Sequence, residues 1–179
     1  MDGQANVKAL FCLALWTLNA FASIPSVSGV DITSKKAVAG PVPGKTSVVV
    51  FLSPSCPCSR GHEAAIQQLS REFPEVAFLG VASGLSAESA AYFQERLPFP
   101  VVSESGYAWA DGFGALNTPH AFVFSADGRQ LYQGGVDNRR DGAESPDRVF
   151  YLQQVLQDIQ AKRPLRVSQT RALGCAIRH

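Results

Sequence analysis

The sequence predicts an α/β fold: a mixed sheet with a parallel βαβ half, an antiparallel hairpin and helices on both faces. Three observations carry this. The run 46–52 is nearly continuous in β-branched and apolar residues, the pattern of a strand buried on both faces, and 76–82 is a second apolar run. Helical periodicity follows each of them. Ser125-Ala126-Asp127-Gly128 then separates two further short runs, 121–124 and 130–133, as a hairpin turn does.

In chain order, 23–44 holds Ser, Gly, Pro and Lys with no sustained period and reads as a linker with at most one edge strand. The strand 46–52 comes next and stops at Ser53-Pro54-Ser55. A helix is expected over 59–73, with Ala64, Ala65, Ile66, Leu69 and Phe73 on one side and Pro74 as its stop. The strand 76–82 leads to a second helix from Ser86, with Ala87, Ala90, Ala91, Phe93 and Leu97 apolar, closed by Pro98 and Pro100. Val101-Val102 forms a short third strand, and 107–113 a brief aromatic helical turn. After the hairpin, 137–147 is polar and reads as a loop. Val149, Leu152, Val155, Leu156 and Ile159 mark one face of a last helix, which Pro164 ends. Helices that link strands in this way make the neighbouring strands parallel, whereas the hairpin adds antiparallel ones.

Composition bounds the function. The chain has 179 residues and a net charge of +1, which gives no general case for nucleic acid as a partner. One folded domain over 45–163 accounts for the length. Residues 164–179 form a basic tail with no acid in it, expected to be solvated and mobile. At the other end, residues 9–22 are uncharged and mostly apolar, about as long as the core of a secretory leader and short for a membrane span. Ala20-Phe21-Ala22 fits a cleavage site. The expectation is a signal peptide over 1–22, export to the periplasm or another extracytoplasmic space, and no stable membrane insertion after cleavage.

Export leaves Cys56, Cys58 and Cys175, because Cys12 falls in the leader. An odd count in an oxidising compartment implies a free thiol, an intermolecular bond or exchange chemistry. Cys56 ends a strand just where a helix begins. Unpaired amides and the helix dipole there favour a thiolate, hence a nucleophile near neutral pH. Pro57 suits the first helical turn. Ser59, three residues on, is placed to donate its hydroxyl to that thiolate. Cys58 sits two residues away, which points it off the same helix face, so a Cys56–Cys58 bond requires a distorted helix start. Cys175, on the tail, is the expected partner, and loop closure adds only about 0.6 kcal/mol for each doubling of length. Cys58 remains the alternative resolving thiol.

A strand, then Cys-Pro opening a helix, then Thr118-Pro119 before a strand, resembles the thioredoxin-like superfamily. More closely, the chain is similar to bacterial redoxins of the alkyl hydroperoxide reductase and thiol-specific antioxidant type. Phe51-Leu52 before Cys56-Pro57, Gly135-Val136-Asp137 (one residue shorter than the usual GxxD) and Gly174-Cys175-Ala176-Ile177 carry that likeness. The resemblance implies a thioredoxin-like domain with Pro119 cis beside the thiol, and Pro57, Thr118 and Pro119 along the substrate. It also implies thiol–disulfide chemistry on a protein or small-molecule partner, with a separate reductant and neither cofactor nor metal. Ser55 replaces the usual tryptophan and Ser59 the second cysteine. Against the thiol peroxidases, Ser53 stands for the usual threonine and Val49 for the proline. Other readings are such a peroxidase, a copper-binding thioredoxin-like chaperone using Cys56, Cys58, His62 and His120, and a redox-inactive binding domain.

Overall fold

The computed structural model describes residues 25–83, 91–93, 95–104, 106–141 and 144–177. The expected leader lies outside these residues, and so does most of the second expected helix, of which 91–93 are helical. No described helix is long and apolar enough to cross a membrane.

Segment 23–44 departs from the linker expected of it. Its strands β1 (Val27–Val30) and β2 (Ala37–Gly40) pair antiparallel. Asp31 holds the hairpin to the domain: one carboxylate oxygen accepts the Ser34 N–H, and the other accepts the Val101 N–H at 3.2 Å. Val27 is fully buried.

The central sheet has five strands in the order β5-β4-β3-β7-β8. These are β3 (Ser47–Leu52), β4 (Ala77–Ser83), β5 (Val101–Glu104), β7 (His120–Phe124) and β8 (Gln130–Gly134). The pairs β3–β4 and β4–β5 are parallel, and β3–β7 and β7–β8 antiparallel, as the order of elements predicts. Helix α1 (Pro57–Glu72) follows β3, α2 (Ala108–Phe113) follows β5, and α3 (Tyr151–Gln160) follows β8. A small pair, β6 (Asn117–Thr118) with β9 (Cys175–Ala176), completes the fold.

Strand β3 divides the core in two by simple alternation. Val48, Val50 and Leu52 face Ile66 and Leu69 of α1, Phe73 just past its end, and Leu152, Val155 and Leu156 of α3. Val49 and Phe51 face the opposite side, where α2 packs. There Phe113 meets Phe51, Phe122 and Phe124 edge-on, with ring centroids 5.3–5.8 Å apart. Both faces of the sheet are thus covered, and the carboxyl end of β3 is clamped between two apolar layers just where it delivers Cys56.

Candidate active site

Helix α1 begins two residues earlier than the periodicity suggested, at Pro57, with Cys56 as its N-cap in extended conformation (φ −87°, ψ 114°). The Cys56 N–H donates to Ser53 O at 3.1 Å, and its carbonyl accepts the Arg60 N–H at 3.2 Å. Proline at the first helical position lacks an N–H that the helix start would leave unpaired. Cys56 is 2% exposed, and its sulfur lies 3.1 Å from the Thr118 carbonyl oxygen. The Thr118–Pro119 peptide is cis, as the resemblance implies, and the Gly40–Pro41 peptide is cis as well. Pro57, Thr118 and Pro119 therefore all adjoin Cys56.

Cys56 is bonded to Cys175 across 119 residues, with Cα atoms 5.9 Å apart. Cys58 is a free, buried thiol. Its sulfur is 4.0 Å from that of Cys175, and all three sulfurs lie within 4.8 Å of one another. Ser59 is fully buried, but its hydroxyl oxygen accepts the Ser53 N–H at 3.1 Å. Among the described residues no hydrogen bond joins Ser59 to Cys56. The Ser53 hydroxyl pairs with that of Ser55 at 3.0 Å.

The tail that brings Cys175 is not the solvated, mobile segment its composition suggests. Arg166 and Arg163 pair with Asp158 of α3, and the Arg166 hydrogen bonds hold that carboxyl at about 2. Thr170 bonds the Tyr132 hydroxyl at 2.6 Å and accepts the Gly135 N–H at 3.1 Å. Gln133 exchanges backbone bonds with Ser168 and Thr170, both at 3.1 Å. Beyond it, β9 pairs with β6 so that Cys175 stands opposite Thr118. Gly174 permits this approach: a Cβ there would lie 2.1 Å from the Thr118 carbonyl oxygen.

A buried polar network fixes the other side. His62 Nδ1 lies 2.6 Å from the Cys58 carbonyl oxygen, and Nε2 lies 2.9 Å from Asp137 Oδ1. Both ring nitrogens thus face acceptors. Asp137 also accepts from Arg148 Nε and from the Arg139 N–H, both at 2.7 Å. Burial pushes the Asp137 carboxyl up, but the bonds from His62, Arg139 and Arg148 outweigh it and hold it below the ordinary carboxylate value. In the sequence Asp137 appears only as part of a motif, and Arg148 carries no signal at all. His62 stood out there as a metal candidate, a role its two bonds occupy otherwise. His120 does not join the sulfurs either. Its Nδ1 accepts the Leu116 N–H at 3.2 Å and its ring stacks on Phe122, while burial lowers it to about 4. The candidate copper ligands are therefore split, with the cysteines together and both histidines bound elsewhere.

No protein family's profile matches the chain, and no curated protein does. Solved structures do. An uncharacterized conserved protein from Geobacillus kaustophilus is similar at 20% identity and a TM-score of 0.78, over 87% of this chain and 89% of that one. A hypothetical protein from Sinorhizobium meliloti 1021 is similar at 18% identity and 0.75, over 86% and 91%. A secreted Mycobacterium tuberculosis disulfide oxidoreductase, homologous to E. coli DsbE, is similar at 21% identity and 0.56, over 68% and 89%. The five-stranded sheet, its helices and these likenesses define a thioredoxin-like fold.

Proposed function

We propose that the protein is an exported thiol–disulfide oxidoreductase with Cys56 as nucleophile and Cys175 as resolving thiol. The observation that carries this reading is the Cys56–Cys175 bond itself, set at the start of α1 and against the Thr118–Pro119 loop. The helix amides favour a Cys56 thiolate in the reduced protein. It attacks a substrate disulfide, forms a mixed disulfide and releases one substrate thiol. Cys175 then attacks the Cys56 sulfur, frees the second substrate thiol and leaves Cys56–Cys175. The substrate gains two electrons and the protein loses two, which a separate dithiol reductant restores. The secreted oxidoreductase of the same fold supports both the chemistry and the expected export.

The test is turnover of a protein disulfide by the reduced mature chain. Cys56→Ser is expected to be inactive, and Cys175→Ser to accumulate a mixed disulfide at Cys56. Full activity of Cys56→Ser, or peroxide consumption faster than disulfide reduction, contradicts the reading.

A further inference from the structure

The oxidised site holds three sulfurs but needs only two. Cys58 is the spare one. It is buried, it lies in the first turn of α1, and its backbone is tied down by His62. Its sulfur is 4.0 Å from that of Cys175, within reach of a thiol hydrogen bond, and is in no disulfide.

We infer that Cys58 is an internal exchange thiol, which attacks the Cys175 sulfur of the Cys56–Cys175 bond. A Cys58–Cys175 bond forms as the Cys56–Cys175 bond breaks, and Cys56 leaves with the electron pair. The Cys58 thiol loses its proton to solvent and the leaving Cys56 is free to take one up, so atoms and electrons balance without any oxidant or reductant.

Two features favour this direction of attack. Exchange is faster when the departing thiolate is the more stable one, and Cys56 departs onto the N-terminal amides of α1. Attack on Cys56 instead would join residues two apart on one helix start, which the helix geometry disfavours. The motion required is also small. The two sulfurs must close from 4.0 Å to about 2.05 Å, and Cys175 lies on the docked tail, not on the helix. Cys56 and Cys58 can keep their places while Cys175 turns from one to the other. The consequence, which rests on the function proposed above, is that the oxidised chain still presents a nucleophile at Cys56.

The experiment is disulfide mapping of the oxidised mature protein after acid quenching, denaturation and alkylation. Wild type is expected to show both Cys56–Cys175 and Cys58–Cys175, with the second at no less than about one part in ten, an energy gap within about 1.4 kcal/mol. Treated with an aromatic disulfide reagent, it is expected to carry the adduct at Cys56, and oxidised Cys58→Ser to carry none. Cys56→Ser is expected to form Cys58–Cys175 on mild oxidation. Alkylation of wild type at Cys58 alone, or a Cys56→Ser protein that keeps both thiols, overturns the inference and leaves the function standing. Absence of Cys56–Cys175 from oxidised Cys58→Ser removes both.

Discussion

The two halves of the disulfide are held by different physics. Cys56 stands on a platform made of burial: β3 is fully buried along its length, α1 and its C-cap pack Ile66, Leu69 and Phe73 against it, and the His62–Asp137–Arg148 network locks the helix start from below. Cys175 hangs on a strap held largely by hydrogen bonds. Between Pro164 and Ile177 Ala172 is the one buried apolar residue; Leu165, Val167 and Ile177 pack half-buried against the core, and Arg166, Thr170 and backbone pairing hold the rest. Apolar packing is cooperative and resists local opening, whereas a strip of exposed backbone bonds opens at low free energy. On the proposed mechanism, the sulfur that must keep its geometry sits on the platform, and the one that must approach and withdraw sits on the strap.

Removing the anchor of the platform is the strongest way to test this division. Asp137→Ala leaves His62 and Arg148 buried without their carboxylate, and is expected to lower stability by about 3–5 kcal/mol in chemical denaturation. A loss no larger than that of a surface substitution would show that the network does not hold the helix start. Cys175→Ser acts on the strap. In oxidised protein it is expected to lower stability by about 2–4 kcal/mol, since the bond closes a very long loop. Under reducing conditions the variant and wild type should agree closely, and a persistent gap would mean that Cys175 stabilises by packing.

A pH titration separates the regions further. Burial lowers His120, beside the platform, from 6.5 to about 4. Between those values the unfolded chain takes up a proton that the folded ring refuses, so stability falls as pH drops from 6.5 and levels near 4. Its share of the slope is ~1.4 kcal/mol per pH unit. His120→Gln is expected to flatten the curve in that window, and an unchanged slope contradicts it. Thr170→Val has the smallest expected effect, about 1 kcal/mol, through lost bonds to Tyr132 and Gly135. It is expected to raise amide exchange across 168–177 while leaving α1 unchanged.

The same division governs what could be read from the sequence. The platform is written in periodicity: the β-branched run of β3 and the apolar face of α1 predict their elements closely. The hairpin β1–β2 is not, because Ser, Gly and Ala alternate there with no apolar contrast and Val27 gains its burial only from the domain behind it. The strap leaves no period either. Arg166 and Thr170 resemble any solvated tail until Asp158 and Tyr132 are placed beside them. His62 and Asp137 are 75 residues apart, so no local pattern announces their bond. Cys175 was legible as the partner of Cys56 through helix geometry and an odd thiol count, although it arrives by a docked strap rather than by free reach. The Ser59 hydroxyl could not be placed, because its bond to Ser53 depends on how the chain turns at Ser53-Pro54-Ser55.

The central claim is that the bond between platform and strap is made and broken in function. Equilibration of the mature protein in graded glutathione buffers, with alkylation of each cysteine followed by mass, tests it most directly. The expected result is a single two-electron transition in which the alkylatable thiols rise from one to three and Cys175 becomes alkylatable, at a potential above about −300 mV, in the range of exchanging disulfides. A Cys56–Cys175 bond that stays closed to more negative potentials would mark it as a structural staple and contradict the account.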